Sequence, residues 1–391
     1  MISLEEAYEQ VLGAAFLLET ERIPYGDSLN RVLAGEVFSD MEMPPFDKAA
    51  VDGYACRRED LDDEMNVIEV VPAGKQPEKS LGRGECTRIM TGAMLPAGAD
   101  MVVMVEDTEM TARGTVRFVR SASGNNICYR AEDLKKGECV LRKGTLVRPQ
   151  EIAIMASVGC TEPLVFRRPV VSLLSTGDEL VEPDQTPVIP RIRNSNAAQL
   201  AAQLRKMDLT AHYGGIAEDH PQSLHDHIEE ALRHGDVLLL TGGVSMGEYD
   251  YVPAVLEDLG FHILFRKIAV QPGHPTVFGR RDRKLLFGLP GNPVSSFVIF
   301  ELLVKPMLYK MMGHDFNPLA LRLPLGVDFS RRKSERKTLL PVRIMADGTV
   351  VPVDYHGSAH IHSYTGADGI MIIDIGVTSL RKGELVDVRP V

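Results

Sequence analysis

Cysteine, positive charge and long hydrophobic runs are all in short supply, and each shortage excludes a class of protein. Five cysteines (Cys56, Cys86, Cys128, Cys139 and Cys160) make an odd set with no C-x-x-C pair and no zinc-ligand spacing. That excludes a disulfide-stapled secreted scaffold and points to a reducing compartment. Lys and Arg number 43 against 54 Asp and Glu, a formal net charge of -11. General nucleic-acid binding is thereby excluded, because phosphate backbones are held through basic surface. The most apolar stretch, Val294 to Phe300, is broken by Glu301 and Lys305, well short of the ~18 residues a bilayer span needs. The opening Met1-Ile2-Ser3-Leu4-Glu5-Glu6 has neither the basic start nor the apolar stretch of a signal peptide. A cytoplasmic protein that binds neither membrane nor nucleic acid is the expectation.

What is present is ordinary in composition, with 44% hydrophobic and 25% charged residues, and 391 residues suggest two to four domains at about 100–200 each. Ser3-Leu4-Glu5-Glu6 followed by Val11, Leu12, Ala15 and Leu18 reads as a capping box and a helix over 3–20. From about 40 to 140 the texture changes to Gly, Pro and short β-branched runs such as Val67 to Val71 and Met101 to Val105. Helical spacing returns at 149–158 behind Pro149. The β-rich module therefore reads as an insertion between two helical segments.

From 169 onward strand, glycine loop and helix alternate. Val170 to Leu174, Ala211 to Ile216, Asp236 to Leu240, His262 to Val270 and Leu285 to Leu289 are the expected strands, with helices near 196–207, 221–233, 252–259 and 293–312. Apolar strands in this alternation predict a parallel sheet covered on both faces, with ligands beyond the carboxyl ends of the strands. After Gly313 and Pro318 the helical spacing stops, and 319–391 reads as a small β domain.

Three loops at those strand ends are candidates for ligand contact. Ser175-Thr176-Gly177-Asp178-Glu179 follows the first strand, Gly242-Gly243-Val244-Ser245 the third, and Pro290-Gly291-Asn292-Pro293 enters the last helix. Bare glycine backbone and helix N-termini offer N–H donors to a phosphate, although such turns also serve simply as tight connections. Asp178, Glu179, Asp219 and Asp250 gather at the same edge, a set suited to Mg²⁺ between protein and phosphate. Asp219, ahead of His220-Pro221, has the alternative of a helix cap. His360 and His362, two apart, would share one face of a strand but lack a third ligand for a metal.

Taken in order, Val51-Asp52-Gly53-Tyr54-Ala55, Arg88-Ile89-Met90-Thr91-Gly92-Ala93, Arg130-Ala131-Glu132-Asp133-Leu134, the three loops above and Leu289-Pro290-Gly291-Asn292-Pro293 resemble the molybdopterin molybdenumtransferase family, the MoeA type related to the gephyrin E domain. The resemblance runs over essentially the whole chain. It implies a multi-domain α/β fold: a helical linker region (1–40 and 141–168), an inserted β-rich module (41–140), a three-layer α/β molybdopterin-binding domain (169–318) and a C-terminal β-barrel-like domain (319–391). It also implies a homodimer with a shared cleft, and a reaction in which adenylylated molybdopterin takes up molybdate with release of AMP, assisted by Mg²⁺. A molybdopterin adenylyltransferase would be the natural partner.

By the same resemblance Asp52, Thr91 and Asp133 belong to a cleft wall supplied by the β module, and Glu179, Asp219 and Asp250 to the acidic positions of the α/β domain. Mg²⁺ is expected on Asp178, Glu179 and Asp250. Ser175, Thr176, Gly177, Gly242, Gly243, Ser245, Pro290, Gly291, Asn292 and Pro293 are expected to touch substrate. One departure stands out. Where family members often read Lys-Pro-Gly-Lys-Pro, this chain has Gln271-Pro272-Gly273-His274-Pro275. Two fixed cations become an amide and an imidazole, a group charged only at mildly acidic pH, so molybdate retention is expected to weaken as pH rises. In the last domain Ser358 matches a family Gly-Ser-Gly turn, and Arg336, with Arg343 as a rival, is the candidate anion contact. Two other functions fit parts of the pattern: a molybdopterin adenylyltransferase, expected to carry Gly-Gly-Thr-Gly where this chain has Gly242-Gly243-Val244-Ser245, and a non-catalytic gephyrin-like scaffold.

Overall fold

The computed structural model describes residues 1–120, 124–244, 251–355 and 357–391. Its central sheet orders six strands as Ala211–Ala217, Val171–Thr176, Val237–Thr241, Lys284–Leu289, Val277–Arg281 and His262–Phe265. The first four are parallel. The expected all-parallel sheet needs a correction, because Val277–Arg281 runs antiparallel to both neighbours. Its cause is local: Arg281 pairs with Lys284 across the two-residue turn Asp282-Arg283, with Asp282 at φ 52°, and so short a link can only make a hairpin.

Alternating side chains serve two apolar layers. Leu173, Leu239 and Phe287 face a core with Leu200 and Leu204 of the helix Ser195–Lys206 and with Val298 and Ile299 of the helix after Leu289. Leu174, Leu238, Leu240 and Leu286 face the opposite layer, with Leu224, Ile228 and Leu232 of Pro221–His234 and Val252 and Leu256 of Val252–Asp258. The helix expected over 293–312 is divided into Pro293–Ile299, a π turn Phe300–Val304 and Lys305–Met311. Pro306 explains the turn: it has no N–H for the carbonyl four residues earlier and its ring crowds that carbonyl.

The first helix spans Leu4–Ala14, with Ser3 and Glu6 exchanging bonds at 2.7 and 3.0 Å. It stops well short of residue 20 because the chain turns into the strand Thr20–Arg22, which pairs with Leu164–Phe166. Ala7, Val11 and Leu18 pack into the same core as Leu303, Met307 and Met311. Val37–Phe38 pairs with Cys139–Leu141, so the chain enters and leaves the β module side by side. Inside it, Asn66–Val71, Glu85–Ile89, Gly53–Cys56 and Met101–Met104 form a four-stranded sheet in that order.

A second six-stranded sheet holds Val270–Gln271, Lys337–Ile344, Gly369–Ile373, Leu385–Pro390 and Leu321–Pro324, with Val350–Pro352 added beside Lys337–Ile344. The strand expected over His262 to Val270 is therefore two: His262–Phe265 stays in the central sheet, while Val270 and Gln271 pair with Lys337 and Thr338. His362 lies in the 3₁₀ turn Ile361–Gly366, so it and His360 do not share a strand face.

Candidate active site

A cavity of about 620 Å³ opens where Val171–Thr176, Val237–Thr241 and Lys284–Leu289 end. The three glycine loops meet there: Thr176, Gly177 and Glu179 from the first, Gly242, Gly243 and Val244 from the second, Pro290 to Pro293 from the third. Their close approach depends on Gly242, at φ 95°, where a Cβ would lie 2.3 Å from the Thr176 carbonyl oxygen.

Among the described residues two carboxylates stand on the wall, Glu179 and Asp219. Asp219 accepts a hydrogen bond from the Thr176 hydroxyl, and its own N–H donates to Asp178 Oδ1 at 3.1 Å. Its alternative as a helix cap is ruled out, because the cap of Pro221–His234 is His220, whose Nδ1 accepts from Gln222 N at 3.3 Å. Asp178 is exposed and turned to the backbone of Asp219, off the cavity wall. Among the described residues no group of three or more His, Cys, Asp or Glu is arranged around a single metal position. Ser245 and Asp250 lie outside the described residues.

Other expected residues sit elsewhere. Ser175 is fully buried beneath the cavity, its Oγ bonded to Asn194 and Thr241 at 3.0–3.3 Å, because strand side chains alternate and only Thr176 points outward. Asp52, Thr91 and Asp133 of the β module do not line this cavity. There Asp52 Oδ1 accepts from the Thr91 amide and hydroxyl, each at 2.7 Å, and those bonds hold its carboxyl below the ordinary range. Asp133 donates its amide to the Met43 carbonyl at 3.0 Å.

In the Gln271 to Pro275 segment Gln271 is exposed and only Pro275 reaches the cavity wall. His274 Nδ1 lies 2.8 Å from the Ile268 carbonyl. A carbonyl oxygen only accepts, so Nδ1 is the donor and Nε2 is the ring nitrogen left for a ligand. Neither Arg336 nor Arg343 lines the cavity; Arg343 donates to the Gly366 carbonyl at 3.1 Å, and the Arg336 carbonyl is taken by Arg331 Nη1 at 3.0 Å. Ser358 joins the C-terminal domain to the site through its carbonyl, which accepts from Val294 N at 3.1 Å, and the next residue, Ala359, lines the cavity.

Sequence reasoning missed the N-terminus of Ser195–Lys206. Asn194, Ser195 and Asn196 line the cavity, and Asn194 Oδ1 caps the helix by accepting from Ala197 N at 3.3 Å. The Asn-Ser-Asn run ahead of the helical spacing was the available signal. Arg193 is the one cationic side chain on the wall among the described residues. Two helix N-termini, three glycine loops, one arginine and two carboxylates make a pocket that can hold a phosphorylated ligand by backbone donors while keeping acidic groups beside it.

Comparison with known proteins bears directly on this geometry. Residues 2–159 match the MoeA N-terminal region (domain I and II), 172–310 a probable molybdopterin binding domain, and 322–391 the MoeA C-terminal region (domain IV). The chain is 34% identical to a molybdopterin molybdenumtransferase of Bacillus subtilis over 99% of its own length and 93% of that protein's. It belongs to the molybdopterin molybdenumtransferase family. A Staphylococcus aureus protein of that name is 32% identical over 99% of this chain and 95% of its own length. Among solved structures, a molybdopterin biosynthesis MoeA protein from Pyrococcus horikosii superposes with TM-score 0.80 at 33% identity, covering 100% of this chain and 99% of that one. A second, from Pyrococcus horikoshii OT3, gives TM-score 0.86 at 29% identity with 100% coverage of both. The multi-domain α/β expectation agrees with these neighbours. Membership of this family also leaves a single-domain adenylyltransferase with no use for the matched N- and C-terminal regions.

Proposed function

We propose that this chain is a transferase of molybdenum cofactor biosynthesis, which inserts molybdate into adenylylated molybdopterin and releases AMP. The observation that carries this reading is the cavity at the strand ends, where glycine loops and helix N-termini meet Glu179 and Asp219. The loops and helix ends would bind the phosphoanhydride through N–H donors that need no reorganisation as charge develops. Mg²⁺ suits this wall, since it takes one or two carboxylates and fills its shell with water and phosphate oxygens; bound by Glu179 and Asp219 it would neutralise the charge on the leaving phosphate. Thr176, hydrogen-bonded to Asp219, orients that carboxylate. His274, the neighbour of the wall residue Pro275, would be the contact for the molybdate oxyanion.

The β-module residues enter this reading through a homodimer. Asp52, Thr91 and Asp133 lie off the cavity of their own chain, and a partner's module would bring the same three residues to it. The four-part division at 1–40 with 141–168, 41–140, 169–318 and 319–391 belongs to the same proposal. A cytoplasmic location accords with the five free cysteines, and no helix among the described residues is long and apolar enough to cross a membrane. An adenylyltransferase is the partner the substrate's chemistry calls for. Incubation with adenylylated molybdopterin, Mg²⁺ and molybdate, following AMP, tests the proposal. Molybdate-dependent AMP release supports it; its absence from the folded protein would turn the reading to a non-catalytic scaffold.

A further inference from the structure

The helix Ser195–Lys206 directs a row of carboxamides at the backbone that leads out of Leu289. Asn196 Nδ2 donates to the Gly291 carbonyl at 2.7 Å and Gln199 Nε2 to the Pro293 carbonyl at 3.1 Å. Gln203 Nε2 donates to the Phe297 carbonyl at 3.3 Å and to Glu301 Oε1 at 3.0 Å. Steps of three and four residues put all three amides on one helix face.

Stability is a poor reason for such a row. Asn196 and Gln203 are 8% and 7% exposed, and Asn196 Oδ1 and Gln203 Oε1 have no hydrogen-bond partner. Apolar side chains of similar size would remove both unanswered acceptors, leaving the Gly291 carbonyl without its bond from Asn196 but the Pro293 carbonyl still bonded by Ser296 Oγ and Glu301 by Lys305. The row acts instead on the orientation of peptide planes. In a trans peptide the N–H points opposite to the C=O, so holding the Gly291 carbonyl toward Asn196 turns the Asn292 N–H away from that helix. The Pro293–Val294 peptide, two further on, is held at both ends: the Pro293 carbonyl by Gln199, and the Val294 N–H by the Ser358 carbonyl at 3.1 Å. Gly291, Asn292 and Pro293 all line the cavity.

We infer that Asn196 and Gln199 are positioning residues, which fix the Gly291–Asn292–Pro293 backbone so that the Asn292 N–H is held for an oxygen acceptor of the bound pterin nucleotide, while Gln203 anchors the helix that follows at Phe297 and Glu301. The inference rests on the substrate reading above. None of the three is a catalytic residue; each acts through the backbone it holds.

The test uses the full chain with Gln203→Met, Asn196→Leu and Gln199→Leu, the last at a half-buried position where folding is least at risk. Three quantities are compared with the unsubstituted protein: the melting midpoint, amide hydrogen exchange at Asn292, and anaerobic titration with molybdopterin. Expected are a midpoint unchanged or raised in all three, with faster exchange at Asn292 and affinity weakened about tenfold in Asn196→Leu and Gln199→Leu. A lower midpoint with exchange and affinity both unchanged would make the row merely structural and overturn the inference. Failure of the unsubstituted protein to bind molybdopterin overturns the substrate reading, whereas unchanged exchange at Asn292 in every variant overturns the positioning role by itself.

Discussion

The β module and the α/β domain treat their acidic residues in opposite ways. In the module Asp52 is answered within the module, by two bonds from Thr91, and does not line the strand-end cavity. In the α/β domain Glu179 and Asp219 face open space, with a single side-chain bond from Thr176 orienting the latter. The difference separates a carboxylate pre-set in geometry from carboxylates left available for a ligand. On the proposed homodimer, it also explains how one linear set of motifs can describe a cleft shared between two copies.

The sharpest way to break the comparison is to remove an open carboxylate. Glu179→Ala or Asp219→Ala should lower AMP release on the order of 10²–10³-fold, with circular dichroism unchanged. Asp52→Ala should also lose turnover, by about 10²-fold, if the partner's module completes the cleft. Mixing Asp52→Ala with Glu179→Ala chains should then restore about a quarter of the rate, because half the dimers carry one intact cleft. No recovery on mixing would place all these residues in one chain's site.

A smaller effect concerns the oxyanion. The KM for molybdate should rise severalfold in His274→Ala, and His274→Lys should restore it by supplying a fixed cation. A KM left unchanged by His274→Ala would remove His274 from molybdate binding. The smallest effect is on stability alone. Asp236 accepts from Arg167 Nη1 and Nη2 at 2.7 and 3.0 Å and from Val170 N at 2.8 Å. Burial opposes its charge, yet these bonds hold its pKa below the ordinary value. An acid with a lowered pKa contributes stability above its unfolded pKa and loses it as pH falls through the folded one. Asp236→Ala should therefore cost about 2 kcal/mol near neutral pH and progressively less below about pH 4, read by denaturant unfolding.

Much of this organisation was legible because its signals are local. The apolar runs Val237 to Leu240 and Leu285 to Leu289 could only be buried strands, and Asn292-Pro293 announced a helix start. Val277–Arg281 escaped notice because Gly279, Arg280 and Arg281 break any alternation and its pairing is decided by the hairpin turn. The division of His262 to Val270 was equally invisible, since the partner of Val270 lies at Lys337. At the site, the glycine loops could be read directly. The burial of Ser175 and the turning aside of Asp178 are set by strand phase and by a backbone N–H forty-one residues away, which no motif encodes.

The helix Leu4–Ala14 has a consequence for how the chain is made. Its apolar face is closed by Leu303, Met307 and Met311, and its Glu5 pairs with Lys337, 332 positions later. During synthesis it leaves the ribosome long before the surface it covers exists, so its docking must be among the last events of folding. A fusion that crowds Ile2, whose backbone is stitched to Lys267 and Ala269 at 3.1 and 2.8 Å, would hinder that late closure while leaving the β module free to form on its own schedule.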